Sequence, residues 1–303
     1  MALNKPNISG SRFYIDIDGD AAGYLSNFQP PSYELEEAAG GIGPDYKTLK
    51  VTGVPKIGEA SATINISQTN KMLQWMESVW EKKCEARHAV VHLANQDYKV
   101  IRDLEMTNCL ITAIEFPDLK ASDGKKALDV TVKWKPTDMM FTGGGGQVQT
   151  VLGGKAKSWL VCNYEVLSCF GLETRWVTSA SLPKISAKLA QENTGELRHG
   201  VPHYASIEFS SIKLELGNGG FESARALAVK TIRDGNVMEK DWDDIIIEMK
   251  DQTMKKTLGT FTMERCMLKK FDWAPKLEGG KDSPSVTTLE FVVEDFRFEI
   301  SHM

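Results

Sequence analysis

Alternation of apolar and polar residues dominates the first half of the chain and predicts strands. Phe13, Ile15 and Ile17 fall on one face of an opening strand, with Tyr14, Asp16 and Asp18 on the other. Residues 32–37 read as a second strand that turns at Gly40, Gly41 and Gly43 and returns, as in a long hairpin. Ala62, Ile64 and Ile66 mark a further strand. It leads into a helix over 70–85, where Met72, Met76, Val79, Trp80 and Cys84 recur at helical spacing and Asn70 is placed as an N-cap. Leu104, Met106, Cys109, Leu110, Ile111, Ile114 and Phe116 then form a long apolar run that breaks at Pro117. A turn at Gly124 precedes a last strand through Leu128, Val130, Val132 and Trp134.

The same order recurs. Residues 159–166 alternate as an opening strand, 181–189 lead to a turn around Asn193, Thr194 and Gly195, and Ile212, Leu214 and Leu216 correspond to Ala62, Ile64 and Ile66. A second helix is predicted over 221–234, with Ala224, Leu227, Ala228 and Thr231 on one face and Gly235 as its stop. Beyond it the correspondence sharpens to an offset of 157 residues, which sets Leu104 on Phe261, Cys109 on Cys266, Ile114 on Phe271 and Phe116 on Trp273. Pro275, Gly279 and Gly280 repeat the break and turn, and Leu289, Phe291 and Val293 repeat the final strand. Repetition of strand, hairpin, strand, helix and strands implies a duplication: a first domain at 1–142, a Gly-rich connection at 143–157 and a second domain at 158–303.

Composition narrows the function classes. At 42% hydrophobic and 25% charged, the chain has apolar residues enough for a core in each half. A net charge of −5 opposes binding of nucleic acid by neutralising its phosphates. No stretch reaches the roughly 18 apolar residues that span a bilayer, and the polar start lacks a signal-peptide pattern, so synthesis in the cytoplasm is expected. Five scattered cysteines without a CxxC pair indicate reduced, buried thiols rather than a disulfide framework or zinc site.

Candidate chemistry is sparse. Gly153, Gly154, Lys155 and Ser158 lack phosphate-loop spacing, and Asp16, Asp18 and Asp20 lack the Gly and Glu positions of a calcium loop. His88 and His92 do not share a helical face, and His199 and His203 flank Pro202 in an expected loop. With no nucleophile elbow or catalytic cysteine signature, no catalytic residue, cofactor or metal is assigned, and the chain reads as a non-enzyme. Trp134 and Trp273 are expected as core or interface anchors.

Ser11-Arg-Phe-Tyr-Ile-Asp-Ile-Asp-Gly19, followed by Gly23-Tyr-Leu-Ser-Asn27, resembles the opening strand and turn of the phage tail tube protein family. Thr52-Gly-Val-Pro-Lys56, the Trp-containing helix and the meander over 90–134 are also similar to it. The second half follows the pattern but has Cys169-Phe-Gly171 in place of Ile-Asp-Gly. The resemblance implies a mainly β protein with two tandem tube-type β-barrel or sandwich domains, each flanked by one helix. It further implies rings stacked into a conduit for DNA or protein, in the tail of a virion or related contractile injection machine assembled in the bacterial host's cytoplasm. Partners would be further copies of the chain (three as a pseudo-hexamer, or six), the tail sheath, and baseplate and terminator proteins, with DNA passing through a polar, acidic lumen without specific binding. Hairpin contacts between rings are expected at Glu34, Glu36, Glu37, Tyr46, Lys47, Glu192 and Asn193. Competing readings are a baseplate hub or tube-initiating adaptor and, from another class, a two-lobed β-sandwich carbohydrate-binding module.

Overall fold

The structure, a computed structural model, describes residues 13–41, 48–66, 70–146, 159–192, 200–273 and 286–301. In the first half these are β1 (Phe13–Ile17), β2 (Asp20–Gln29), β3 (Tyr33–Gly41), β4 (Thr48–Ile57), β5 (Ala60–Asn65), α1 (Asn70–Trp80), β6 (Arg87–Ala94), β7 (Val100–Glu115), β8 (Leu119–Lys120), β9 (Asp129–Lys135) and β10 (Asp138–Gly143). The second half supplies β11 (Tyr164–Ser168), β12 (Val177–Ser181), β13 (Ile185–Glu192), β14 (Val201–Phe209), β15 (Ile212–Leu216), α2 (Phe221–Ala228), β16 (Asp243–Lys250), β17 (Thr257–Asp272), β18 (Thr287–Val292) and β19 (Asp295–Ile300).

The protein is mainly β. Strands β7, β6, β1, β2, β5 and β9 pair in that order, and β9 returns to β7, closing a barrel. Period-two alternation puts one face of each strand inside, so Ile15, Ile17, Ala62, Ile64, Val91 and Val132 are buried. Helix α1 lays Met72, Trp75 and Met76 against this barrel. The Trp75 ring centroid lies 5.9 Å from that of Trp134, and its Nε1 donates to the Glu85 carbonyl at 3.1 Å. Trp75 is fully buried although the apolar stripe predicted for the helix omits it.

The second half repeats the pairings β12–β15, β15–β18, β17–β18, β16–β17, β11–β16 and β17–β19. Its bulges repeat as well. The register shift at Leu25/Asn27 reappears at Val177/Ser179, and that at Arg87/Ala89 reappears at Asp243/Ile245. Asp18 and Gly19 turn the chain with φ of 53° and 85°; Phe170 and Gly171 do so with 50° and 67°. A phenylalanine therefore holds the left-handed position where the first half has aspartate, which is why the second turn lacks the Ile-Asp-Gly signature.

Several expectations need correction. Residues 159–163 do not form the opening strand of the second half. Leu160 bridges Ala127 and the Val161 amide donates to the Lys126 carbonyl, so this stretch crosses the first half before β11 begins. Helix α1 ends at Trp80 rather than at residue 85, because Lys82 and Cys84 take left-handed φ. Helix α2 ends at Ala228, and a π turn, Val229–Arg233, carries the chain to Gly235 at φ 73°. The partner of Ala62 is Leu214, not Ile212: Ala62 faces Val132 as Leu214 faces Leu289, and Val132 and Leu289 are 157 apart. Gly143 ends β10, and Gly144 lies so close to β7 that a Cβ would stand 2.6 Å from the Arg102 nitrogen, so the glycine run begins packed against the barrel. Residues 147–158 lie outside the described residues.

Candidate assembly surface

The two halves are joined by strand exchange. Strand β6 leaves one edge of β7 at Cys109, and on that same edge β13 pairs Ile185 with Ile114 and Ser186 with Ala113. The opposite edge is taken by β9 and β10, which run on in one register from Lys135 opposite Leu110 to Asp138 opposite Thr107. The hairpin β13–β14 of the second half thus extends the first-half sheet. In return β8 adds to β12, with Leu119 opposite Ala180 and Lys120 opposite Ser179.

Side chains lock this seam. Lys184 Nζ lies 2.7 Å from Glu115 Oε1 and Lys133 Nζ lies 3.0 Å from it. The hydrogen bond from Lys184, supported by Lys133, holds the Glu115 carboxyl below its ordinary range. The ring of Phe116 sits 5.2, 5.5 and 5.9 Å from Phe261, Phe296 and Phe298 of the second half, and Trp80 lies 6.0 Å from Phe296. Lys82 and Asp295 pair at 2.9 Å on the rim. One hydrophobic core runs through both halves.

The predicted contact residues that the structure describes fall on two separate hairpins. Glu34 is exposed on β3, opposite Lys56, and accepts from Ser32 Oγ at 3.1 Å. Glu36 lies on the same strand, and Glu37 is exposed opposite Thr52. Glu192 is exposed at the end of β13, opposite Val201. Tyr46, Lys47 and Asn193 lie outside the described residues. Strands β3 and β4 form a two-stranded sheet, while β13 and β14 belong to the first-half sheet, so Glu34 and Glu192 are not brought together by strand pairing.

Several of the polar candidates are engaged within the chain. His92 Nδ1 and Asp103 Oδ1 are 2.7 Å apart, His92 Nε2 and Asp16 Oδ2 are 3.1 Å apart, and the imidazole stacks on Tyr14 at 4.4 Å. The His88 amide donates to Asp18, and Asp20 pairs with Lys71. Among the described residues no helix is long and apolar enough to cross a membrane.

Sequence reasoning missed the edge residues Ala113, Ile114, Ile185 and Ser186. A signal was present. Cys109-Leu-Ile-Thr-Ala-Ile114 is a continuous buried run that breaks the alternation of β7, as expected of a strand covered on both faces.

Residues 9–133 match the family model described as T4-like virus tail tube protein gp19. No curated protein matches the chain. Among solved structures, the anti-feeding prophage (AFP) baseplate is similar at 16% identity and TM-score 0.41, covering 46% of this chain and 98% of that one. The PVC sheath/tube terminator in its extended state is similar at 12% identity and TM-score 0.41, covering 47% and 100%. Hcp1 from Flavobacterium johnsoniae matches at 13% identity and TM-score 0.29, covering 45% and 98%. Residues 9–133, with the opening strand, turn and helix they contain, are thus similar to the T4-like virus tail tube protein family over somewhat less than half of the chain.

Proposed function

We propose that this chain is a structural subunit of the tube of a contractile injection machine, in which each chain supplies two consecutive positions of one ring. The domains are 1–142 and 158–303, joined through 143–157. The observation that carries this reading is the seating of β13–β14 on β7: a hairpin of one half extends the sheet of the other, as neighbouring ring positions would. A head-to-tail interface of this kind closes into rings or winds into filaments. Six positions per ring, as the family resemblance implies, are filled by three chains.

Such a ring stacks into a tube within a sheath and meets baseplate and terminator proteins at its ends, in a virion tail or related particle assembled in the host cytoplasm. DNA or protein passes through the bore without specific binding. Electron microscopy of the purified full-length chain tests the reading. Rings or tubes with three-fold symmetry by chain are expected; monodisperse single chains at all concentrations would refute the tube role, and six chains per ring would refute the stoichiometry. Copy number in the particle separates a tube subunit, repeated along the length, from a tube-initiating adaptor confined to one end.

A further inference from the structure

The seam inside the chain has a counterpart on its outer surface. At the offsets fixed by strand register, Tyr33 and Ile57 correspond to the facing pair Ile185 and Phe209, and Ile114 with Val132 corresponds to Phe271 with Leu289. The strand pairings on β7 and the aromatic contact of Phe116 can therefore be located a second time, while the counterpart of β8 lies outside the described residues. Ile185 is 1% exposed where Tyr33 is 53%, Phe116 is 9% where Trp273 is 58%, and Phe298 is 3% where Phe141 is 56%. Leu35, the counterpart of Ala187, is also exposed. Four apolar side chains are thus about half exposed at places whose counterparts are buried, Tyr33 with its hydroxyl donating to the Met139 carbonyl of its own chain at 2.7 Å.

The backbone repeats the pattern. Strand β16 leaves β17 at Cys266, and the edge beyond it takes no further strand among the described residues, whereas the matching edge of β7 receives β13. Strands β3 and β4 pair with each other and with no other strand among the described residues. An edge without a further strand and a hairpin that adds to no larger sheet, though anchored at its base by Tyr33 and the buried Ile57, are the two halves of a strand-addition interface. Charge fits too: Lys269 and Lys270, which pair within the chain with Glu290 and Asp272, mark the edge, and Glu34 and Glu37 lie on the hairpin.

Resting on the tube-subunit reading, we infer that the occupant of the β17 edge is the β3–β4 hairpin of a second copy of this chain. Tyr33 of one copy lies opposite Phe271 of the next and Glu34 opposite Lys270, in the register that Ile185 and Ser186 take on Ile114 and Ala113. Trp273 then packs on Phe141, Met139 and Leu104 of the incoming copy, as Phe116 packs on Phe298, Phe296 and Phe261. The interface is head-to-tail, so single chains retain one open edge and one free hairpin until a ring closes.

Disulfide trapping in the full-length chain tests the register, since directly opposed antiparallel residues have Cα atoms about 4.5–5.5 Å apart, within disulfide reach. The double variant E34C/K270C, oxidised and run without reductant, is expected to give two- and three-chain species with a ladder that stops at three. Mixing E34C with K270C is expected to give the two-chain product alone, and neither single variant cross-links above the background of its native thiols. Rings seen by microscopy without this cross-link would overturn the inference and leave the tube reading standing. Cross-linking of E34C with itself would overturn the head-to-tail geometry, and a wild-type chain that forms neither ring nor cross-link would defeat both. Charge exchange gives an independent readout: E34K or K270E is expected to raise the concentration for half-assembly severalfold, and E34K/K270E to restore it. Failure of the double exchange to recover assembly would also count against this register.

Discussion

Phe116→Ala and Trp273→Ala exchange corresponding residues in the two halves and should have opposite consequences. Phe116 is 9% exposed and its ring meets three phenylalanines across the inner seam. Truncating a buried Phe costs about 3–5 kcal/mol, and burial of its roughly 150–200 Å² at about 25 cal/mol per Å² gives a similar figure. With a urea slope of about 3 kcal/mol per M, the midpoint should fall by about 1–2 M. Trp273 is 58% exposed, so its replacement should change the stability of the isolated chain by less than about 1 kcal/mol while abolishing ring formation. Residue size alone gives the reverse order, since Trp buries the larger surface. Urea titration by far-ultraviolet circular dichroism, with sedimentation velocity for assembly, measures both. Equal destabilisation of the isolated chain by the two changes, or a Phe116→Ala midpoint within about 0.3 M of wild type, would refute the assignment of one seam to folding and the other to association.

Ile15→Asp places a carboxylate in the closed barrel at a fully buried position; a penalty of several kcal/mol should unfold the first half, seen as loss of its melting transition. Burial pushes the thiols of Cys109 and Cys266 up to about 12 and that of Cys169 up as well, whereas Cys84 and Cys162 are half-buried. At pH 8, Cys84 and Cys162 should therefore react with a thiol reagent first, and the other three only on denaturation. Glu115, its carboxyl held low chiefly by Lys184, contributes stability that is complete above its unfolded value near about 4.3 and is lost as pH falls through the lower folded value. Glu115→Gln should flatten the acid limb of the stability profile in that window and leave the neutral and alkaline limbs parallel to wild type.

Alternation made the barrel strands legible, because half-buried antiparallel strands write their inner face into every second residue: Ile15 and Ile17, or Val130, Val132 and Trp134. The long strand after each helix was legible down to its offset, since Cys109 and Cys266 each follow the same bulge and each places Sγ 3.4 Å from the carbonyl of the methionine three residues before it. Helix ends were less readable. Cys84 continues the apolar spacing of α1, but the left-handed φ at Lys82 that ends the helical path carries no side-chain signature in a lysine. Strand exchange was least readable of all. Periodicity reports which face of a strand is buried and is silent on which neighbour covers its edge, so Ser186 opposite Ala113 looks like ordinary sheet sequence.

The two seams differ in a way that follows from when each would form. A strand edge that is covered within the chain never meets another molecule, so it needs no defence, and its positions are Thr112 and Ala113 against Ser186. An edge that waits for a second copy is exposed while the chain is free, and exposed edges template unlimited pairing unless they are blunted. At the matching positions stand Lys269 and Lys270, with Glu34 on the hairpin. These lysines share their charge with Glu290 and Asp272 in the free chain and can also accept an acidic hairpin, so the head-to-tail contact is favoured over the meeting of two identical edges. Surface ion pairs contribute little to affinity, about 0–1 kcal/mol each; what they supply here is discrimination, while Tyr33, Leu35, Phe141 and Trp273 supply the buried area. The charge that distinguishes the outer seam from the inner one is then the feature that lets a chain whose β17 edge takes no further strand among the described residues remain a separate molecule until it meets the correct neighbour.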